Sequence, residues 1–198
     1  MISKPVHSRY VLFIVVLSAS FLYPLHALMI EYSLTRLVAE SSHIVTGKVI
    51  TREARWNDTK SLIFTDVRVS IHEVIKAGEQ ATTITIRIPG GAITEPDGTG
   101  IGMGRSDVPE FSVEEEVLLF LHRSGENETY SITGQFQGKL TITADPQTGK
   151  KHLHSQARAL VHPTTMKIRH VDEYRVPLED MIRAIKSEIA SQAQSKKQ

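Results

Sequence analysis

A two-residue alternation of apolar and polar side chains runs through the stretch LIFTDVRVSIHEVIK, residues 62–76. In an extended strand Val67 and Val69 point to one side and Asp66 and Arg68 to the other, because successive side chains face opposite directions. The stretch TTITIRIP repeats this pattern and ends at a proline, which cannot donate to a strand ladder. The alternation predicts a sheet or barrel with one face in a core and the other largely in water.

Helical patterns flank the strand-like part of the chain. The stretch SLTRLVAES predicts a helix of about two turns with Ser33 as its N-cap. Near the C-terminus Leu178, Met181 and Ile185 fall on one stripe, which either packs against the chain's own barrel or docks on another subunit. Helices do not alternate with the strands, which disfavours a parallel α/β sheet. We therefore predict a mainly β fold, a small closed or partly closed barrel, with a sandwich as the alternative.

The first 27 residues differ from the rest of the chain. Lys4 and Arg9 precede the apolar run YVLFIVVLSASFLY, and the small residue Ala27 follows as a cleavage position. This pattern predicts a signal peptide over residues 1–27. The alternatives are an uncleaved anchor and a buried helix, although a proline and a histidine interrupt the apolar run that an anchor needs. We expect an exported protein, either periplasmic or secreted.

Charge and cysteine content exclude several classes of function. Beyond residue 27 the chain carries 21 Lys and Arg against 22 Asp and Glu, so no basic face for nucleic acid is expected. The chain has no cysteine, which excludes disulfides, thiol catalysis and cysteine–zinc sites. We predict a β-barrel domain over 28–155, held by its own core, and a linker with a C-terminal helix over 156–198.

The stretch GGAITEPDGTGIGMGRSDVPEF, residues 90–111, holds six of the twelve glycines. It lacks the Gly-Lys-Ser/Thr end of a P-loop and the spacing of a dinucleotide fingerprint. Its four acidic residues offer hard oxygens to calcium, but the EF-hand pattern is absent. We interpret it as a long solvated connection that also serves as a contact loop.

The contact surface predicted from the sequence joins the 90–110 loop to the connection TREARWNDTK, residues 51–60. The tryptophan there is either exposed for contact or closes the end of the core. The residues expected to touch a macromolecular partner are Trp56, Glu95, Asp97, Arg105 and Asp107.

No complete catalytic motif is found, and no cofactor is predicted. His152 and His154 share one face of a predicted strand and are candidate zinc or copper ligands, but two ligands are too few. A metal-dependent hydrolase that uses these histidines and loop carboxylates is the alternative to a binding protein. The acidic run Glu114, Glu115 and Glu116 is expected to form a hydrated turn before a strand. The G-x-S-x-G elbow of serine hydrolases does not occur.

Four segments between residues 40 and 143 carry a resemblance: SSHIVTGKVI, EVIKAG, EEEVLLFLHR and YSITGQFQGKLTI. They resemble the netrin-like modules of the OB-fold class, best known from the tissue inhibitors of metalloproteinases, and a set of uncharacterised exported bacterial proteins. The resemblance implies a small OB-like Greek-key barrel of five to seven antiparallel strands. A full set of strands without a complete catalytic motif predicts a module that binds a macromolecular partner such as a protease or an envelope component.

The chain departs from those inhibitors at their inhibitory end, because it has no N-terminal cysteine to grip a protease zinc. The inhibitory mechanism therefore cannot be transferred to any residue here. The sequence predicts an exported, non-enzymatic binding module. A structural accessory domain is a further alternative.

Overall fold

A computed structural model describes residues 29–77, 81–105, 107–124, 128–156, 159–170 and 176–195. The predicted leader, residues 1–27, lies outside this part of the chain. No helix within the described residues is long and apolar enough to cross a membrane.

The fold is mainly β, with a short helix near the start and a longer helix at the end of the described chain. Along the described chain the elements are β1 (Met29–Ile30), α1 (Leu34–Glu40), β2 (His43–Trp56), β3 (Ile63–Lys76), β4 (Thr83–Pro89), β5 (Gly91–Thr94), β6 (Gly100–Met103), β7 (Glu116–Ser124), β8 (Thr129–Ile132), a 3-10 helix (Gln135–Gly138), β9 (Lys139–Ala144), β10 (Lys151–Ser155), β11 (Ala159–Val161), β12 (Ile168–His170), β13 (Val176–Pro177) and α2 (Leu178–Ser195).

Eight strands form one mixed sheet in the order β13-β10-β9-β7-β2-β3-β4-β8. β8 also pairs with β7, so that β7, β2, β3, β4 and β8 form a ring of five hydrogen-bonded strands. β7 accommodates three neighbours because β9 pairs with its first half and β8 with its second half. The β4–β8 pair is parallel, so the ring is not wholly antiparallel as the sequence predicted.

The alternation predicted for β3 and β4 is confirmed. Val67 and Val69 on β3 are fully buried, as is Ile86 on β4, whereas Arg68 between the two valines is exposed. These apolar side chains meet those of the other ring strands in a single cluster inside the ring. The members of this cluster are Val45, Val49, Val67, Val69, Ile84, Ile86, Ile88, Phe111, Val117, Leu119, Leu121 and Tyr130.

A second apolar cluster lies between the sheet and the two helices. β7 is buried on both faces, because Leu118 and Phe120 point to this cluster while Val117, Leu119 and Leu121 point into the ring. The C-terminal helix contributes Ile185, which is fully buried, with Met181 and Leu178 packed against the cluster. The apolar stripe of α2 therefore packs on the chain's own sheet, the first of the two alternatives predicted for it.

The helix cap and the hairpin turn that the sequence predicted are confirmed. Ser33 caps α1 by accepting a hydrogen bond from the Arg36 amide at 3.1 Å. β9 and β10 form an antiparallel hairpin with Gly149 at a positive φ of 68° in the turn. The segment expected to be a linker, residues 156–175, contains β11 and β12, and β11 pairs with β1. Residues 157–158 and 171–175 of that segment lie outside the described chain.

The acidic run 114–116 is not simply a hydrated turn, as the sequence had suggested, because each glutamate pairs with a different lysine. Glu114 pairs with Lys48 and Glu116 with Lys151, both partly exposed. Glu115 pairs with Lys139 at 2.6 Å, and the lysine side chain has no exposed surface. Burial raises the pKa of Glu115, but hydrogen bonds from Lys139 and its other donors outweigh burial, so its pKa is held below the usual range.

Candidate contact site

Residues 91–103 of the glycine-rich stretch form a β-hairpin, so the interpretation of the stretch as a long connection is wrong for this part. β5 pairs with β6 in register from Gly91 opposite Met103 to Thr94 opposite Gly100. The turn closes when the Glu95 amide donates to the Thr99 carbonyl at 2.8 Å. A sequence signal for this hairpin exists: Pro-Asp-Gly, a strong turn former, stands between two short alternating runs.

The hairpin is fixed at its base to the start of β3. The Gly90 amide donates to the Ile63 carbonyl, and the Thr65 hydroxyl donates to the Gly90 carbonyl, each at 2.7 Å. At Gly91, φ is +140°, and a Cβ there would lie 2.4 Å from the Thr65 hydroxyl oxygen. Only glycine fits this close approach, which lets β5 lie against the ends of β2 and β3.

The other end of the stretch is also fixed. The buried ammonium group of Lys139 donates to the Glu110 carbonyl at 2.7 Å. Gln156 binds the same residue through its amide, accepting from the Glu110 N–H at 3.0 Å. Phe111 is buried in the ring core. Because residues 90 and 110–111 are both held, the hairpin presents its side chains from a defined base.

Trp56 and Glu95, two of the predicted contact residues, touch each other. The indole N–H of Trp56 donates to Glu95 Oε1 at 2.7 Å, across 39 positions of sequence. Trp56 is the last residue of β2, so the predicted connection 51–60 is wrong for its first part: residues 51–56 are strand. The indole is half-buried, which keeps its outer part accessible beside the hairpin turn.

Arg105 and Asp107 form a second pair beyond β6. Arg105 Nε donates to Asp107 Oδ1 at 2.8 Å, and this bonding lowers the pKa of Asp107 and raises that of Arg105. Asp97 accepts a hydrogen bond from the Thr99 amide in the hairpin turn, which lowers its own pKa. The turn and the Arg105–Asp107 pair are separated by the length of the strands, about 13 Å for four residues. The predicted residues are therefore grouped in two clusters at opposite ends of the hairpin.

A cavity of about 350 Å³ lies between the base of the hairpin and residues 108–111. Its lining includes the apolar side chains of Ile88, Met103 and Phe111, with Arg52 and Arg105 among the polar residues. The side chain of Arg52 is exposed and makes no hydrogen bond or ion pair with another residue of the described chain. Sequence reasoning missed Arg52 and the anchor Thr65, because both lie within long strands and only the folded ring places them at its mouth.

The candidate metal ligands His152 and His154 lie on β10, where they are half-buried and face away from the buried Leu153. Their register partners on β9 are Thr143 and Thr141, neither of which is a preferred zinc ligand. Among the described residues, no group of three or more His, Asp or Glu side chains is placed to hold a metal ion.

No protein-family model matches the chain, and no curated protein sequence matches it.

Proposed function

We propose that this protein is an exported, non-enzymatic module that binds a macromolecular partner through the face of the β5–β6 hairpin. We define this hairpin face as the surface of residues 91–105 together with Trp56 and Asp107. The partner we propose is a protein, such as a protease or an envelope component. The anchoring of the 90–111 stretch at both ends carries this proposal, because a fixed base reduces the ordering entropy lost on binding.

The arrangement of strands in the ring supports an OB-like Greek-key barrel of the netrin-like kind. β2, β3 and β4 are neighbours in chain order, whereas the next ring strand, β7, returns to pair with β2. β8 then fits between β7 and β4 and closes the ring. A five-stranded Greek-key arrangement of this type is the general description of an OB-fold.

The composition of the hairpin face supports a protein partner rather than a nucleic acid. Aromatic and arginine side chains are enriched in protein interfaces, and this face offers Trp56 and Arg105. Glu95, Asp97 and Asp107 place carboxylates on the same surface, where they would repel phosphate groups. The adjacent cavity offers apolar walls for a side chain of the partner.

The test is a shortened hairpin in which residues 92–102 are replaced by Asn-Gly, a dipeptide suited to two-residue turns. The Gly91–Met103 pair and the anchors at Gly90 and Glu110 stay in place, so folding is expected to be unchanged. In the control variant Asn-Gly replaces residues 145–150, the exposed turn between β9 and β10. Both variants are expressed in the source organism and are cross-linked to their neighbours in intact cells.

We expect the unaltered protein and the β9–β10 control to cross-link to the same partner, and the shortened hairpin to lose it. Circular dichroism and urea denaturation of each purified variant check that the fold is retained. If the shortened hairpin cross-links to the partner as well as the unaltered protein does, the hairpin face is not the binding site.

A further inference from the structure

A polar trough of about 650 Å³ lies along β2, β3 and β4 and extends to Arg123 on β7 and Thr129 on β8. Three residues in direct register line its middle: Thr51 on β2, Arg68 on β3 and Thr85 on β4. The alternation that buries Val67 and Val69 directs Arg68 outward, so its position follows from the fold of the ring.

The side chain of Arg68 is exposed and makes no hydrogen bond or ion pair with another residue of the described chain. A guanidinium carries five N–H donors in a planar fork that matches a carboxylate. Beside it, the hydroxyl oxygen of Thr51 is buried and has no hydrogen-bond partner among the described residues. A native structure seldom leaves such a group unpaired, because an unsatisfied buried hydroxyl costs free energy.

The remaining charges of the trough leave a small positive excess. Asp66 is shared between Arg55 and Arg87, with Arg87 Nε donating to Asp66 Oδ1 at 2.8 Å. Burial raises the pKa of Asp66, but the two guanidinium groups outweigh burial, so its pKa lies below the usual range and it stays ionised. The charged residues that line the trough are Arg55, Arg68, Arg87, Arg123, Glu53, Asp66 and Glu128.

Four cations against three carboxylates amount to an excess of one positive charge, which one carboxylate neutralises. A polyanion such as nucleic acid would bring further phosphates close to Glu53 and Glu128, with repulsion at each. We propose that this trough is a second binding site, independent of the hairpin face, for an aspartate or glutamate side chain of a peptide or protein ligand. Arg68 binds the carboxylate with two N–H donors, and the Thr51 and Thr85 hydroxyls flank it.

The experiment uses the isotope-labelled protein and the blocked peptide acetyl-Gly-Gly-Glu-Gly-Gly-amide, followed by NMR. We expect saturable shifts of the Arg68 Nε–H signal and of the Thr51 and Thr85 amides. The same peptide with glutamine in place of glutamate is expected to bind at least tenfold more weakly. A pentaglycine with a free C-terminus distinguishes a terminal carboxylate from a side-chain carboxylate, and it is also expected to bind at least tenfold more weakly.

Three variants test whether the planar guanidinium group of Arg68, and not only its positive charge, binds the carboxylate. Arg68→Gln is expected to lower the affinity for the glutamate peptide at least tenfold, and Arg68→Lys to lower it by an intermediate factor. Arg52→Gln is the matched control, because it removes one equally unpaired arginine from the other cavity, and it should change the affinity by less than twofold. Arg68 is exposed, so the amide signals away from the trough should stay unchanged in its variants.

The proposal is overturned if the glutamine peptide binds as well as the glutamate peptide, or if Arg52→Gln weakens binding as much as Arg68→Gln does. Tighter binding of a short single-stranded oligonucleotide or of inorganic phosphate than of the glutamate peptide would replace a carboxylate site with a phosphate site. Equal binding of the free-terminus pentaglycine would overturn the assignment to a side chain. The protein with the shortened hairpin should bind the glutamate peptide as well as the unaltered protein does. A negative result for the trough is therefore distinguishable from a negative result for the hairpin face.

Discussion

Replacing Lys139 with methionine tests how strongly a single buried cation holds the ring to the segment that follows the hairpin. The ammonium group of Lys139 lies 2.6 Å from Glu115 Oε1 and 2.7 Å from the Glu110 carbonyl oxygen. It also lies 4.9 Å from the centre of the Phe111 ring. Burial lowers the pKa of Lys139, and the hydrogen bond and the negative charge of Glu115 offset only part of that effect.

The expected loss of stability follows from what the substitution leaves behind. Removing one partner of a buried ion pair costs about 3–5 kcal/mol, because the other charge stays buried without compensation. Methionine keeps most of the aliphatic stem, so little packing is lost. Glu115 retains hydrogen bonds from the Thr141 hydroxyl at 2.5 Å and from the Ser112 amide at 3.0 Å. We therefore expect Lys139→Met to lower the free energy of unfolding by about 3 kcal/mol, the lower end of that range.

Lys151→Met is the matched control, since Lys151 pairs with Glu116, the residue next to Glu115. The side chains of this pair are 44% and 33% exposed, so the same substitution should cost less than about 1 kcal/mol. Urea denaturation followed by circular dichroism measures both variants. In the double variant with Glu115→Gln, which leaves no buried unpaired charge, part of the loss should be recovered.

A cost below about 1 kcal/mol for Lys139→Met would refute the reasoning, because that is the value of an exposed pair. A double variant that is less stable than Lys139→Met alone would refute it as well. It would mean that Glu115 stabilises the fold without its lysine.

Three further predictions concern packing and pH. Ile185→Ala should lower the free energy of unfolding by about 2–5 kcal/mol in urea, because this side chain is fully buried between α2 and the sheet, and a smaller loss would place the helix elsewhere. Gly138→Ala should lower the free energy of unfolding by about 3 kcal/mol, because the added Cβ would lie 1.8 Å from a backbone carbonyl oxygen. Gly102→Ala faces open space and should leave the urea midpoint unchanged. Equal effects of the two substitutions would show that the close contact at Gly138 does not exist. The pKa of Glu115 is lower in the folded chain than in the unfolded chain, so its contribution is present above the ordinary value of 4.5 and is lost as the pH falls through the folded pKa. Urea midpoints measured from pH 7 downward should therefore fall less steeply in Glu115→Gln than in the unaltered protein, and identical slopes would count against the ionised pair.

Part of the candidate site could be identified from the sequence and part could not. Trp56 and Glu95 were both expected at a contact surface, but their hydrogen bond across 39 positions was not. Thr65 looked like any inward residue of an alternating strand, and nothing in its neighbours indicated that it would hold Gly90. Arg68 was recognised only as an outward residue of β3. Whether its side chain finds a hydrogen-bond or ion-pair partner depends on which side chains the neighbouring strands place beside it.

The sequence by itself determined the local structure of this protein. Alternation set the faces of β3 and β4, Ser33 marked the start of α1, and Gly149 marked the turn between β9 and β10. These features depend on backbone geometry over a few residues, which the residue types report directly. The tertiary structure decided which of three adjacent glutamates is buried against a lysine, that β7 has three neighbours, and where the hairpin is held. Those outcomes depend on contacts between distant segments, as with Lys139 and Glu115, 24 positions apart, and only the packed chain brings such segments together.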